Sequence, residues 1–209
     1  MPVFKDHQIH SNTKLGVWHC TESIQQLLEI ANLDKEDQIK CASFKNDQRQ
    51  KHFIAVRILC EILIGPSKIL YREGGKPSLL DDGQHISISH SHDYVAVLIS
   101  SSPQIGIDIQ QIEDKILRIR NRFVNDDDKL IIDFHNTEDL TLLWCVKESL
   151  YKINGDPTVF FNEHMRIDKL TSKLDSRIEA SINHDLYHGK HQFKFEILEN
   201  YVLVYTVFE

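Results

Sequence analysis

Two periods run through this chain, and the points where one gives way to the other divide it into elements. Gly16-Val17-Trp18-His19 alternates as a strand. Residues 23–32 follow a helical period, with Ile24, Leu27, Leu28 and Ala31 on one side. A longer helix is expected over 47–64, carrying Phe53, Ile54, Val56, Ile58, Leu59, Ile62 and Leu63. Asp47 stands where an N-cap belongs, and Gly65-Pro66 stops the helix. A short strand at 69–72 meets a turn at Gly74-Gly75-Lys76-Pro77, and Asp81-Asp82-Gly83 leads into a hairpin of 85–90 and 94–101.

After Ser101-Ser102-Pro103 the same order of elements begins again. A strand at 105–110 precedes a helix near 114–122. A longer helical stretch over 126–153 is interrupted near Asn136 and closed by Gly155 and Pro157. Strands at 165–167, 177–182, 192–198 and 201–208 finish the chain. The pattern predicts an α+β fold of two similar halves, residues 1–102 and 103–209, alike in architecture though not in residues. Two such halves would leave a ligand cleft between them.

Composition narrows the partners. The chain has 209 residues, 41% of them hydrophobic, enough for a substantial core, and a formal net charge of -7. That balance lacks the basic footprint that nucleic acid or an anionic membrane requires. Cys20, Cys41, Cys60 and Cys145 lie far apart without a CxxC pair, so reduced, buried thiols are expected. Met1-Pro2-Val3-Phe4-Lys5-Asp6 has no apolar signal core, and no apolar run approaches bilayer length. A cytoplasmic protein with neither nucleic-acid nor membrane partner is expected.

The candidate chemistry sits in a few short segments. In Ile105-Gly106-Ile107-Asp108-Ile109-Gln110 the isoleucines share one strand face, with Gly106, Asp108 and Gln110 on the other. Trp144, Glu148 and Lys152 share one helical stripe at i, i+4 and i+8. Asp108 suits a hard cation such as Mg²⁺, which takes one or two carboxylates plus substrate phosphates and water. Taken alone it is an ordinary strand or turn residue. The plain account of Glu148 is a solvated pair with Lys152, worth about 0.3–0.5 kcal/mol. Trp144 on the same stripe argues that this face is covered, since Leu143, Val146, Leu150 and Ile153 already supply a core face. Ser89-His90-Ser91-His92 gathers donors suited to phosphate oxygens but lacks the third ligand a zinc site needs. Lys76 in its glycine turn, and Arg49, Lys51 and Arg57 on or near the long first helix, add positive charge.

Together these segments resemble the Sfp-type 4′-phosphopantetheinyl transferases. Gly75-Lys76-Pro77, Ile88-Ser89-His90-Ser91, Gly106-Ile107-Asp108-Ile109 and Trp144-x-x-Lys147-Glu148-Ser149-x-x-Lys152 stand in the family's order over roughly the middle 80 residues. The resemblance implies a pseudo-duplicated α+β fold with coenzyme A between the halves. It implies transfer of the 4′-phosphopantetheine arm to a serine of an apo acyl or peptidyl carrier protein, with release of 3′,5′-ADP. Asp108 and Glu148 would hold Mg²⁺, or Mn²⁺ in its place, against the pyrophosphate. Lys152 and His90 would contact phosphate oxygens with Ser89 close by, so that Glu148, Lys152 and His90 form the catalytic set. Lys76, Pro77 and their turn would meet the nucleotide end, and Arg49, Lys51 and Arg57 fall in the region of the 3′-phosphate. Glu148, or water held by it, would accept the serine proton.

Gln110 departs from the pattern, because the family usually has Glu there. As a third oxygen ligand a neutral amide removes one negative charge, which predicts weaker Mg²⁺ binding. The alternative reading is therefore a non-catalytic relative that binds coenzyme A or a carrier. Carriers are acidic, and Lys115, Arg118, Arg120 and Arg122, ending beside Phe123 as an apolar contact, supply a local basic patch for docking. Because both halves lie in one chain, a monomer is expected.

Overall fold

The computed structural model describes residues 4–10, 12–71, 74–80, 83–171 and 175–208, and the chain divides into two compact units, Met1–Pro103 and Gln104–Glu209. Arg72 of the strand expected at 69–72, and Asp81 and Asp82 of the expected turn, lie outside the described residues.

The first unit runs β1 (Phe4–His10), β2 (Thr13–His19), α1 (Ile24–Ile30), α2 (Lys35–Ala42), α3 (Asp47–Ile64), β3 (Ile69–Tyr71), β4 (Pro77–Leu79), β5 (His85–Ser91) and β6 (Tyr94–Ser100). Its main sheet is antiparallel in the order β1-β2-β6-β5, with β3 and β4 as a separate pair. Helix α3 buries Ile54, Leu59 and Leu63 against Trp18 of β2 and Val95, Val97 and Ile99 of β6. Its cap is Asn46, whose side chain accepts from Arg49 N at 2.9 Å, so the expected Asp47 cap is displaced by one residue. Three elements here were not expected, the short β4 directly after the glycine turn being one of them. Strand β1 reads Phe-Lys-Asp-His-Gln-Ile-His and pairs only with β2, an edge position where polar residues are tolerated. Helix α2 buries only Cys41, which leaves no apolar stripe to read, and Asp34 caps it through Asp37 N at 2.8 Å.

The second unit runs β7 (Ile107–Gln111), α4 (Lys115–Ile119), α5 (Thr137–Asn154), α6 (Phe161–His164), β8 (Met165–Leu170), β9 (Arg177–His184), β10 (Tyr187–Leu198) and β11 (Tyr201–Val207). The sheet is antiparallel in the order β7-β11-β10-β9-β8. The helical stretch expected from residue 126 begins only at Thr137. Asn136 is its N-cap and not an interruption, since its side chain accepts from Glu138 N at 2.8 Å and Asp139 N at 3.2 Å. Upstream, residues 128–130 form a single 3₁₀ turn. Gly155, with φ at 70°, ends α5 in the left-handed conformation. Leu140, Leu143, Val146 and Leu150 of α5 pack with Phe193, Phe195, Val202 and Val204 of the sheet.

Both units are therefore mixed α+β, each an antiparallel sheet with one helix of 18 residues against it. All four cysteines are buried and unpaired. Among the described residues no helix is long and apolar enough to cross a membrane.

Candidate functional site

The site in the second unit begins with a close approach. A Cβ placed on Gly106 would lie 1.9 Å from the Ser149 carbonyl oxygen, so helix α5 rests directly against the start of β7 and only glycine fits. Two side chains one turn apart pin α5 to β11: Cys145 Sγ donates to Val202 O at 3.6 Å, and Ser149 Oγ donates to Val204 O at 3.3 Å. In the β7–β11 register Val204 stands opposite Asp108 and Val202 opposite Gln110. Strand alternation then gives Asp108 and Gln110 the same face, the one α5 covers, while Ile107 and Ile109 point the other way.

Helix α5 brings its acid and base to that face. Lys152 Nζ lies 2.8 Å from Asp108 Oδ1 and donates to Ile107 O at 2.7 Å. Asp108 is buried and Glu148 half-buried. Burial pushes the Glu148 carboxyl up to about 7, the charge of Asp108 adds to the rise, and Lys152 partly offsets it. Burial also pushes the Cys145 thiol well up, with Asp108 beside it contributing. Among the described residues, two carboxyl groups thus stand together with the Lys152 ammonium at a partly covered face.

That excess of negative charge fits a hard divalent cation. Asp108 and Glu148 offer carboxylate oxygens, and Gln110 on the same strand face adds an amide oxygen. Among the described residues no group of three or more His, Cys, Asp and Glu stands together as a metal cluster. Asp108, Glu148 and Gln110 are all oxygen donors, the type Mg²⁺ takes alongside water and substrate phosphates.

The model of the 4′-phosphopantetheinyl transferase superfamily matches residues 104–206. The segment 104–206, nearly the whole of the second unit, is thus similar to that superfamily. It is 30% identical over 137 residues to the 4′-phosphopantetheinyl transferase gsp of Aneurinibacillus migulanus, covering 60% of this chain and 57% of the relative. A Synechocystis sp. protein described as a "putative 4′-phosphopantetheinyl transferase" is 25% identical over 142 residues, covering 60% of this chain and 58% of that one. The chain thus spans less than two thirds of the length of these relatives.

The matched segment contains Asp108, Gln110, Glu148 and Lys152, and Asp108, Glu148 and Lys152 come together in the pocket. Lys147, the other charged residue of the superfamily-like helix motif, goes elsewhere. Its side chain is 1% exposed, and its ammonium lies 2.5 Å from Asp128 Oδ2, itself fully buried. It also donates to Phe123 O at 2.7 Å and Phe161 O at 3.1 Å. Asp128 in turn accepts from Asn125 N and Ile167 N, both at 3.0 Å. This knot ties α5 to the chain before it, to α6 and to β8. Sequence reasoning passed over it, although Lys147 falls on the Leu143–Leu150 core stripe, which was the available signal.

The basic patch after β7 is only partly as expected. Arg118 and Arg122 are exposed, Lys115 pairs with Glu113, and Arg120 donates to Phe134 O at 3.2 Å. Phe123 is not a surface contact. It is 0% exposed and meets the edge of the Trp144 ring at 5.1 Å, because its backbone turns it into the core beneath α5.

The superfamily model does not reach the first unit, where the remaining expected residues lie. Ser89 and His90 are neighbours on β5 and therefore alternate, the serine buried and the imidazole exposed. Lys76 is exposed and Pro77 half-buried at a turn where Gly74 and Gly75 hold φ at 87° and 82°. Arg57 is buried, its guanidinium held to Asp37 by bonds of 3.0 and 2.9 Å and lying 3.4 Å from the Phe53 ring centroid. That fork joins α3 to α2. Arg49 is exposed, 4.6 Å from the Phe44 ring centroid, and Lys51 is half-buried.

Proposed function

We propose that this chain is a 4′-phosphopantetheinyl transferase acting on coenzyme A and an apo acyl or peptidyl carrier protein, in the cytoplasm, as a monomer, on a duplicated α+β architecture. The observation that carries the reading is the pocket of Asp108 and Glu148 against one Lys152, inside the segment that matches the superfamily. Asp108, Glu148 and the Gln110 amide are assigned to hold Mg²⁺, with Mn²⁺ as a substitute. When bound there, the cation would neutralise charge on the pyrophosphate.

In the reaction the carrier serine oxygen forms a new bond to the phosphorus that carries the pantetheine arm, and the bond from that phosphorus to 3′,5′-ADP breaks. The protein's contribution is position and charge. Lys152 already directs its ammonium at the Asp108 carboxylate and is assigned to phosphate oxygens as well. His90 is assigned to a phosphate oxygen, with Ser89 on the neighbouring position of β5, and Lys76 and Pro77 to the nucleotide end. The serine proton must leave, and Glu148, directly or through water, is assigned to accept it. Arg49 and Lys51 are assigned to the 3′-phosphate. Arg57 serves there indirectly, because its fork is already engaged by Asp37. Arg118 and Arg122, exposed on one short stretch, are assigned to the acidic carrier.

Intact-mass spectrometry tests the reading. An apo carrier incubated with the chain, coenzyme A and Mg²⁺ should gain the mass of one phosphopantetheine arm, and Asp108→Ala and Glu148→Ala should abolish the gain. Failure to modify any of several carriers, with coenzyme A still raising Tm, would favour a binding protein without turnover.

A further inference from the structure

Helix α3 places Gln48 and His52 one turn apart, both aimed at the turn between β5 and β6. His52 is only 8% exposed, and its Nε2 lies 2.6 Å from the His92 carbonyl oxygen. The Gln48 amide donates to the same oxygen. Two acceptors would repel at that distance, so the contact calls for Nε2–H as donor, with the Gln48 amide nitrogen 3.0 Å from the same Nε2. Burial also holds the imidazole below the usual histidine range, which keeps the ring neutral. The clamped residue is itself unusual: His92 has φ at 47°, left-handed without being glycine, and two donors on its carbonyl hold that turn.

The face of the His52 ring lies against His90. The centroids are 4.5 Å apart and the planes 27° from parallel. His90 is exposed on β5, so burial does not set the second torsion of its ring. A ring bonded to the His92 carbonyl and lying against His90 narrows the orientations that the His90 imidazole can take before any ligand arrives.

We propose that His52 is a positioning residue: clamped to the His92 carbonyl and stacked on His90, it holds the His90 imidazole in the orientation that meets a phosphate oxygen of coenzyme A. This rests on the reading above, in which His90 contacts that substrate. His52 touches no substrate and acts only through His90. Ordering one side chain in advance is worth roughly a three- to tenfold gain in affinity or rate.

Two variants separate the functions of the ring. His52→Gln retains a donor for the His92 carbonyl but has no face to stack, and His52→Phe retains the face but not the donor. The first measurement is NMR of the histidine ring protons in the free protein. The His90 resonance should lose its ring-current shift in His52→Gln and keep it in His52→Phe. The second measurement is the kinetics of transfer from coenzyme A, with Tm recorded for each variant. His52→Gln should lower kcat/KM for coenzyme A by roughly three- to tenfold, the effect of one side chain, with Tm held within a few degrees. Placed on His90→Ala, it should cost nothing further.

An equal loss in the His90→Ala background, or a loss that tracks Tm, overturns the positioning role and makes His52 a core residue alone. An unchanged His90 resonance overturns it as well, while leaving the transferase reading intact. A shifted resonance with His90→Ala itself kinetically silent removes His90 from the coenzyme A site, and the positioning role with it. Absence of coenzyme A turnover in the unaltered chain marks failure of the transferase reading, visible before any variant is made.

Discussion

Lys147 and Glu148 are neighbours on α5 and end in opposite electrostatic situations. The Lys147 ammonium meets one carboxylate, Asp128, and two carbonyl oxygens, and both charges are sealed from solvent. Glu148 enters a pocket that already holds Asp108, with Lys152 bound to Asp108 in preference to it. The first cluster balances one cation against one anion and uses their hydrogen-bonding capacity inside the protein. Among the described residues, the second sets two carboxyl groups beside the Lys152 ammonium, with Glu148 half-buried. A buried pair whose charges balance acts as scaffold, whereas carboxyl groups crowded at a half-covered face make a candidate ligand site.

Breaking the scaffold cluster should produce the largest effect. Asp128→Asn leaves a buried ammonium without its counter-ion, at a cost of about 3–5 kcal/mol. For a chain of this size that lowers Tm by roughly 10 °C. The double variant Lys147→Met with Asp128→Leu, which removes both charges, should recover most of the loss. Thermal unfolding checks both, and a single variant as stable as the native chain would show that the pair is not the anchor drawn here.

The approach of α5 to β7 sets the spacing of the second cluster, so disturbing it comes next. In Gly106→Ala the new methyl meets backbone, the Ser149 carbonyl, which no rotamer change can relieve. The expected cost is about 1–3 kcal/mol. Transfer should fall further than Tm accounts for, because Asp108 moves relative to Glu148. Loss of transfer in strict proportion to Tm would reduce Gly106 to packing alone.

Glu148→Gln should act in the opposite direction on stability. With its carboxyl raised from 4.5 to about 7 in the folded chain, the native state binds more protons than the unfolded state between those values. Stability therefore falls as pH rises through that window, and the penalty is complete above about pH 7. Removing the charge should raise the metal-free Tm at pH 8 by roughly 3–6 °C, equivalent to about 1–3 kcal/mol. The gain should vanish at pH 4.5, and transfer should be lost at every pH. Equal Tm values for the two proteins at pH 8 would dispose of the charge-excess account.

Much of this was legible in the sequence because the deciding residues sit on regular periods. Alternation alone put Asp108 and Gln110 on one face of β7, and helical spacing put Glu148 and Lys152 on one stripe of α5. Other features escaped because their partners are remote. Lys147 finds Asp128 19 positions away in an irregular stretch, and His52 finds the His92 carbonyl across 40 positions. Strand β1 and helix α2 lack a strong apolar face, so their pairing and caps define them where periodicity does not. Phe123 looked exposed beside a run of arginines, but its burial is set by where the chain turns after α4.

The smallest expected effect sharpens the comparison most, because it changes the charge count without touching the scaffold. Gln110 shares the face of Asp108, with its backbone opposite Val202 in the β11 register. Gln110→Glu adds a third carboxylate against the single ammonium. Without metal the added repulsion should lower Tm at pH 8 by about 1–2 °C, while Asp128 and Lys147 are left unchanged. With metal the sign reverses, and the Mg²⁺ concentration for half-maximal transfer should fall roughly three- to tenfold, since divalent affinity follows ligand charge. If neither Tm nor the Mg²⁺ requirement moves, position 110 lies outside the pocket's field. If turnover instead rises from nothing to a full rate, the native chain is the non-catalytic relative, and the amide at position 110 is what separates it from an enzyme.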